Sequence, residues 1–536
     1  PVHFSPPTET RTWFHLGGIV KTTTTGNVSL YDDPIAIGWT EADFSAEYWQ
    51  GDLNKLSRPS SMVNFLKALP SKRRREALRT LRGSILRSEL YALDGSSRQD
   101  RPYTVSENQT GVAQVVYLDD DSYQLSFDGS VTGTALPVDL GKYWLFFPHG
   151  LSSRSYAWER GDEPMTSLSF QFGYDNYGHA LKSLSLAVAR LRCLDWMNAG
   201  GAYPFLGTYS ETVLVHKNDA THYLIGQPLE AKSWEVVNDG TDSLWDIVAG
   251  VIARTWDITD AELIGHSINF YDGDDTSGQP FNGLAYGTLG EYGVLVKTLQ
   301  LVLTKDVLDA AYGASDWPIY LENQFPSYTS TPYPADFQSI AEYAGYLRDP
   351  MGGTGTEDFF YVPTMRAKYD FHTSASDPRG LALASKDPFG NVSTVQYDAY
   401  NLLPTITTDA LGMQVEAVYD YRLLQPCLIT DPNGNRSAVR FSPLGFVVEA
   451  GVMGKHGDLD GDVTSDLGSF PVFTPSSIME YDLLNWMVHG LPAYVKTTQH
   501  EWHINDLDYT TDTHVQKAYS DGLGRVIKTR AQAGEV

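Results

Sequence analysis

Short stretches along the first 150 residues alternate between apolar and polar positions, as at 114–117 and 143–147. A period of two predicts strands with one face turned to a core. One segment departs from it: from Ser71 onward, Leu78, Leu81 and Ile85 recur at helical spacing, while Lys72, Arg73, Arg74, Arg75, Arg79 and Arg82 fall mostly elsewhere on the wheel. That pattern predicts one amphipathic helix with a solvated basic side. Further strands are expected at 168–172, 184–188 and 292–304, with helical patches at 243–253 and 337–347. Residues 349–356 combine Pro, Gly and Thr without periodicity and read as a loop or boundary. Three regions result: a β-rich 1–150 with one helix, a β-rich 151–355 with degenerate repeats, and 356–536 with a regular repeat.

The regular repeat is carried by a turn-like Asp-x-x-Gly unit at Asp387 to Gly390, Asp409 to Gly412 and Asp431 to Gly434, with successive copies 22 residues apart. An aromatic followed by a small polar residue keeps the same spacing at Tyr397-Asp398, Tyr419-Asp420 and Phe441-Ser442, as do Pro404 with Pro426 and Thr408 with Thr430. A fixed period marks units that bury their apolar faces only against neighbours. Here the unit is a β-hairpin. The aspartate bonds backbone amides, proline fixes φ at the next position, and glycine takes the left-handed site. The aromatics at 397, 419 and 441 are expected at equivalent heights on neighbouring strands, stacked on one another, with the adjoining aspartate ending the strand. Looser copies occur at Tyr174 to Gly178, Tyr481-Asp482 and Tyr519 to Arg525. The fold class that follows is mainly β: an extended antiparallel sheet of hairpins with a few short helices.

Composition supports this class and narrows the partners. Aromatic residues make up 12% of the 536, and 47 Gly with 28 Pro favour many strands joined by tight turns. The net charge of -27 opposes phosphate contacts, so nucleic acid is not an expected partner. No apolar run reaches the 18 or so residues that a spanning helix requires. Cys193 and Cys427 are too few for a disulfide framework and read as buried thiols. The chain opens on Pro1 without a leader, as an excised or processed segment would.

Catalytic signals are absent or incomplete, and the chain is not expected to be an enzyme. His500-Glu501-Trp502-His503 misses the zinc-helix spacing, because the second His must lie four residues on and residue 504 is Ile. There is no G-x-S-x-G elbow, phosphate loop or dinucleotide fingerprint. A glycosidase would need two carboxylates facing one cleft, which no spacing reveals. One cation site is suggested: Asp458, Asp460, Asp462 and Asp466 stand at relative positions 1, 3, 5 and 9 of an acidic loop, the way a loop wraps calcium. The loop departs from an EF-hand, with Gly461 at position 4 and Ser469 at 12.

The repeat resembles the RHS or YD repeat, and longer strings resemble the TcB-type (SpvB-like) subunits of insecticidal Tc toxins. They are Thr-Arg-Thr-Trp-Phe-His at 10–15, the strings at 81–95 and 98–104, Tyr-Leu-Ile-Gly-Gln-Pro at 223–228, Asp-Pro-Asn-Gly-Asn-Arg at 431–436, Phe-Ser-Pro-Leu-Gly at 441–445 and Ser-Asp-Gly-Leu-Gly-Arg at 520–525. The resemblance implies a structural subunit of a secreted, extracellular toxin complex. With a C-type subunit it would build a hollow shell of spiralling sheet around an unfolded toxic polypeptide. A propeller outside this segment would dock on the pore-forming A-type subunit. The ADP-ribosyltransfer sometimes attached to the SpvB name needs a Glu-x-Glu pair, which is absent. Self-cleavage belongs in that family to the C subunit and is not expected here. The strands from Tyr519 to Thr529 are expected to continue into a second shell half through an interface above about 2,000 Å². The competing reading is a secreted or cell-surface adhesion or carbohydrate-binding protein.

Overall fold

The computed structural model describes residues 6–20, 38–52, 56–118, 123–129, 144–188, 205–238, 242–253, 262–273, 280–314, 347–351, 359–373, 377–467 and 470–532. Among them, 24 strands join in one sheet, with only short two-stranded pieces beside it. At one edge Thr8–Phe14 lies on Ile85–Ala92, which pairs with the first part of the long strand Thr104–Tyr117. The far part of that strand carries Tyr123–Ser126, and its other edge carries Phe146–Ala157. From there the sheet is an antiparallel meander through Met165–Tyr174, Ala180–Val188, Leu206–Asn218, Tyr223–Glu235, Leu263–Tyr271 and Leu295–Leu303 to Phe360–Tyr369. Short strands then follow from Ala382–Lys386 to Val447–Met453. Ser477–Asp482, Ala493–His500, Thr513–Ser520 and Val526–Ala531 complete the sheet.

The mainly β, antiparallel architecture is as expected, but two divisions are not. Phe146–Ala157 runs unbroken through the boundary placed at 150/151, because Thr104–Tyr117 pairs along it on both sides of that point. The later division lies downstream of 355/356. Lys297 pairs with Arg366 while Ala367 pairs with Ser385, so a single strand hands the sheet from its long-stranded half to its short-stranded half.

In the long-stranded half one sheet face is dry. Val105, Tyr156, Leu168, Leu184, Leu186, Tyr209 and Trp234 pack against Leu56 and the helix Leu244–Ala253, whose Leu244, Ile247, Val248 and Val251 are buried. Each such side chain contributes about 1.5–3 kcal/mol of burial. Two more helices, Ser60–Ala68 and Ser71–Thr80, cover Val112 at the far end of the sheet. The first was not expected, although Met62, Phe65 and Leu66 stand at helical spacing. The second ends before Ile85, which begins a strand and is exposed, so Ile85 does not share the helical face as read from spacing. The basic run has local work. Arg74 donates to the carbonyls of Leu66 and Leu69 and closes the end of the preceding helix, while Arg73 and Arg75 lie over Trp144 and Trp39. The helical patch at 337–347 lies outside the described residues except for Leu347, which is in the strand Leu347–Arg348. The short-stranded half has only a small core around Leu428, Ala438, Met453, Val463 and Phe473.

Candidate functional site: the turn ladder, the acidic loop and the open edge

Each Asp-x-x-Gly turn is built by one carboxylate. At Asp409 the Oδ1 accepts the amides of Leu411 and Met413 at 2.9 and 2.8 Å, and the Gly412 amide donates to the Asp409 carbonyl at 3.0 Å. Asp431 repeats this with Asn433 and Asn435, Asp521 with Leu523 and Arg525, and the looser copy at Asp175 with Tyr177 and His179. Asp387 accepts the Asn391 amide at 2.8 Å. The glycines at 390, 412, 434 and 524 have φ between 79° and 88°, the region that favours a residue without Cβ. The Asn435 hydrogen bond holds the Asp431 carboxyl below its ordinary range, and the Arg525 amide does the same for Asp521.

The opposite rim uses the same device with different letters. Asp398 accepts the Tyr400 and Leu402 amides, and Asp420 accepts the Arg422 amide, so the aspartates beside the aromatics organise turns. Here the left-handed position is held by Asn401 at φ 53° and Leu424 at φ 58°. Tyr421 donates to Asp398 Oδ2 at 2.7 Å and ties one turn to the next. At Ser442 a hydroxyl replaces the carboxylate and accepts the Phe446 amide at 3.1 Å. The turn-opening residues are therefore Asp387, Asp398, Asp409, Asp420, Asp431 and Ser442, one every eleven residues. The structural unit is one strand and one turn, half the period read from the sequence. The signal was present, but glycine holds the left-handed position only in the turns opened at 387, 409, 431 and 442, and the turns at Asp398 and Asp420 lack it.

The aromatics do not behave as expected. Tyr397, Tyr419 and Phe441 occupy equivalent places, each at a register shift near the end of its strand, but on every second strand rather than on neighbours. A strand intervenes, so the rings do not stack on one another. Instead the Tyr397 hydroxyl donates to the Ala382 carbonyl at 3.1 Å and that of Tyr419 to the Pro404 carbonyl at 2.8 Å, each reaching a carbonyl fifteen residues back. Phe441 has no hydroxyl with which to repeat the bond.

The acidic loop does not gather its carboxylates. Asp462 is buried, with Oδ2 accepting the Val452 amide at 2.8 Å and Oδ1 2.9 Å from His503 Nδ1. Asp466 pairs with the buried Arg436 and accepts the Gly457 amide at 2.8 Å. Asp458 and Asp460 are exposed. Two of the four carboxylates expected to bind calcium thus already have protein donors. Among the described residues no three His, Cys, Asp or Glu groups stand together as a metal site. His500 and Glu501 form no zinc set with His503 either; Glu501 pairs with His514 at 2.9 Å.

Charged groups do cluster elsewhere, in the dry face of the long-stranded half. Arg87 bonds Asp52 and Glu89 at 2.7 Å, and Arg154 bonds Asp52 at 2.8 Å and Glu107 at 2.7 Å, with all five side chains buried. Glu89 also accepts the Trp49 amide and Glu107 the Leu56 amide. Burial raises the Glu107 carboxyl, with Arg154 opposing. The network fastens the segment around Trp49 to Asp52 onto the sheet. A second chain runs from Tyr361 through His266 to Glu230 at 2.6 and 2.8 Å, with His266 and Tyr361 buried. Cys427 is half-buried rather than buried, 3.4 Å from the Val418 carbonyl, and burial pushes its thiol up. Cys193 lies outside the described residues.

Two features of the sheet remain open. Adjoining cavities of about 630 and 380 Å³ share Asn108, Ser153 and Ser169 on the face opposite the dry core. Among the described residues Val526–Ala531 pairs only with Thr513–Ser520, and all six of its residues are exposed. No helix of the described residues is long and apolar enough to cross a membrane.

Comparison with known proteins agrees with the TcB-type resemblance. Residues 76–134 match the family described as the insecticide toxin TcdB middle/C-terminal region. No curated protein matches. The fold is that of solved Tc toxin structures. A TcdB2-TccC3 crystal structure matches with TM-score 0.59 at 21% identity over 85% of this chain and 21% of that one. The Photorhabdus luminescens Tc holotoxin pore matches with TM-score 0.64 at 20% identity over 98% of this chain and 26% of that one. TcdB2-TccC3 without its hypervariable C-terminal region matches with TM-score 0.64 at 18% identity over 99% and 26%. The chain thus spans a fifth to a quarter of the solved chains it matches.

Proposed function

We propose that this chain is a structural segment of a Tc-type toxin complex, a stretch of shell wall that encloses a toxic polypeptide together with a C-type subunit. The observation that carries this reading is the sheet itself: a long antiparallel meander with unpaired edges at Thr8–Phe14 and Val526–Ala531 among the described residues. An open, exposed edge is a template for another strand. A single thin layer such as the short-stranded half serves to enclose rather than to form a compact core. Delivery would proceed through a pore-forming A-type subunit, docked by a propeller outside this segment, within a secreted complex. The chain itself would be non-catalytic, so prolonged incubation should yield no discrete truncated fragment.

Co-expression with a C-type subunit tests the proposal. The expected outcome is a single, stable complex in size-exclusion chromatography and aggregation of the segment expressed alone. A soluble monomer that ignores the C-type subunit would contradict it.

A further inference from the structure

Residues directly opposed across antiparallel strands share a face, so the sheet's two faces can be followed pair by pair. On one face a rung runs through Thr12, Ser88, Ser106, Ser155, Ser167 and Ala187. Beside it runs Asn108, Ser153, Ser169, Ser185 and Thr208, and beside that Ser183, Ser210, Ser233 and Gly265. The same face passes through Thr298, Met365 and Ala367 to Ser385 and Ser393. It continues as Val395, Thr407 and Val415, as Ala417, Ile429, Ser437 and Val452, and as Ala450, Ser477 and Gln499. Along these rungs and their continuations only Glu235 and His514 can carry a charge.

The opposite face is different in kind. It holds Arg87, Glu89, Arg154, Glu211 and Lys232 in the long-stranded half. In the short-stranded half it holds Glu416, Arg436, Glu449, Glu480, Lys496 and Lys517. Such segregation is not required by folding, because the uncharged face is not the dry one: Ser155, Ser167 and Ser185 are exposed. Both cavities lie on it, so the sheet is concave there.

We infer that this uncharged, hydroxyl-rich face is a non-adhesive lining whose partner is an unfolded polypeptide of mixed charge; the inference rests on the shell reading above. Nucleic acid would call for basic groups, which the rungs do not supply, and the tyrosines on this face, Tyr397 and Tyr419, spend their hydroxyls on the Ala382 and Pro404 carbonyls. An enclosed chain presents both signs of charge. A wall with fixed charges in a confined, poorly screened space would hold its oppositely charged segments. Serine hydroxyls exchange hydrogen bonds with water at little net gain, and small side chains form no anchoring pockets. The wall therefore contacts the chain everywhere and retains it nowhere.

The test uses the complex with a C-type subunit and its enclosed polypeptide. Ser155, Ser167 and Ser185 are replaced together by Lys, by Glu or by Asn, and hydrogen exchange of the enclosed polypeptide is measured. Native and Asn-substituted walls should leave its amides near unprotected rates. The Lys wall should slow exchange several-fold in its acidic segments and the Glu wall in its basic ones. Native protection mapping to this face, or indifference to all three substitutions, would overturn the lining. Absence of any complex or enclosed polypeptide would instead overturn the shell reading, and the lining with it.

Discussion

Leu424 sits in the left-handed region at φ 58°, one residue beyond the position at which the Asp-x-x-Gly turns place glycine. An L-residue there costs about 1–2 kcal/mol, and Leu424 is exposed enough to lose little packing. Leu424→Gly should therefore stabilise the chain by up to about 1 kcal/mol after the entropy of an added glycine. Gly412→Ala should do the reverse by about 1–2 kcal/mol, for a purely conformational reason, since a Cβ there meets nothing within 4 Å. Urea denaturation of both variants checks the pair. Tyr419→Phe removes the bond to Pro404 and should cost about 0.5–1.5 kcal/mol, while Phe441→Tyr should regain a similar bond to the Pro426 carbonyl. If Phe441→Tyr is neutral and Tyr419→Phe is too, the tyrosine has no such role. The turns opened by Asp-x-x-Gly were legible because glycine and aspartate are there for backbone reasons. The turns at Asp398 and Asp420 were not, because Asn401 and Leu424 carry no such mark. The tyrosine bond was missed because its acceptor is a backbone carbonyl, which sequence does not distinguish.

At the scale of elements, two kinds of fastening respond differently to perturbation. The buried network of Arg87, Arg154, Asp52, Glu89 and Glu107 fixes the segment ending at Asp52 to the sheet. Removing one partner of a buried pair leaves an uncompensated charge, at about 3–5 kcal/mol. Asp52→Ala should show that loss in thermal melts and expose the adjoining segment to limited proteolysis. The turn carboxylates titrate instead. Asp431 and Asp521 are held below their ordinary range, and outside the turns Glu41, which pairs with His15 and Arg58, lies at about 2: burial raises it, but these two partners lower it further. A depressed folded pKa adds stability above the unfolded value near 4, and this is lost as pH falls toward the folded value. The melting temperature should thus decline between about pH 4 and pH 2, and Glu41→Gln should flatten the decline. Elements with a strong period, such as the helix Leu244–Ala253, were legible from apolar spacing. The buried network was not, because its members are scattered between residues 52 and 154 and meet only through sheet pairing.

For the whole molecule, the mainly β class and the repeat were legible, but the sheet's continuity was not. Nothing in the residues around 150 announces that Phe146–Ala157 carries one sheet through them, because its partner lies some forty residues earlier. The acidic loop shows the converse. Its carboxylate spacing suggested a cation, yet Asp462 and Asp466 are taken up by Val452, His503, Arg436 and Gly457. Calorimetry at millimolar calcium should accordingly show no heat of binding. What meets the open edge is tested by an electron cryo-microscopy map of the complex with a C-type subunit. The expected map shows a closed hollow wall in which Val526–Ala531 is paired to a further strand, around density with no globular fold. A map in which that edge faces solvent, or in which no cavity is enclosed, would contradict it.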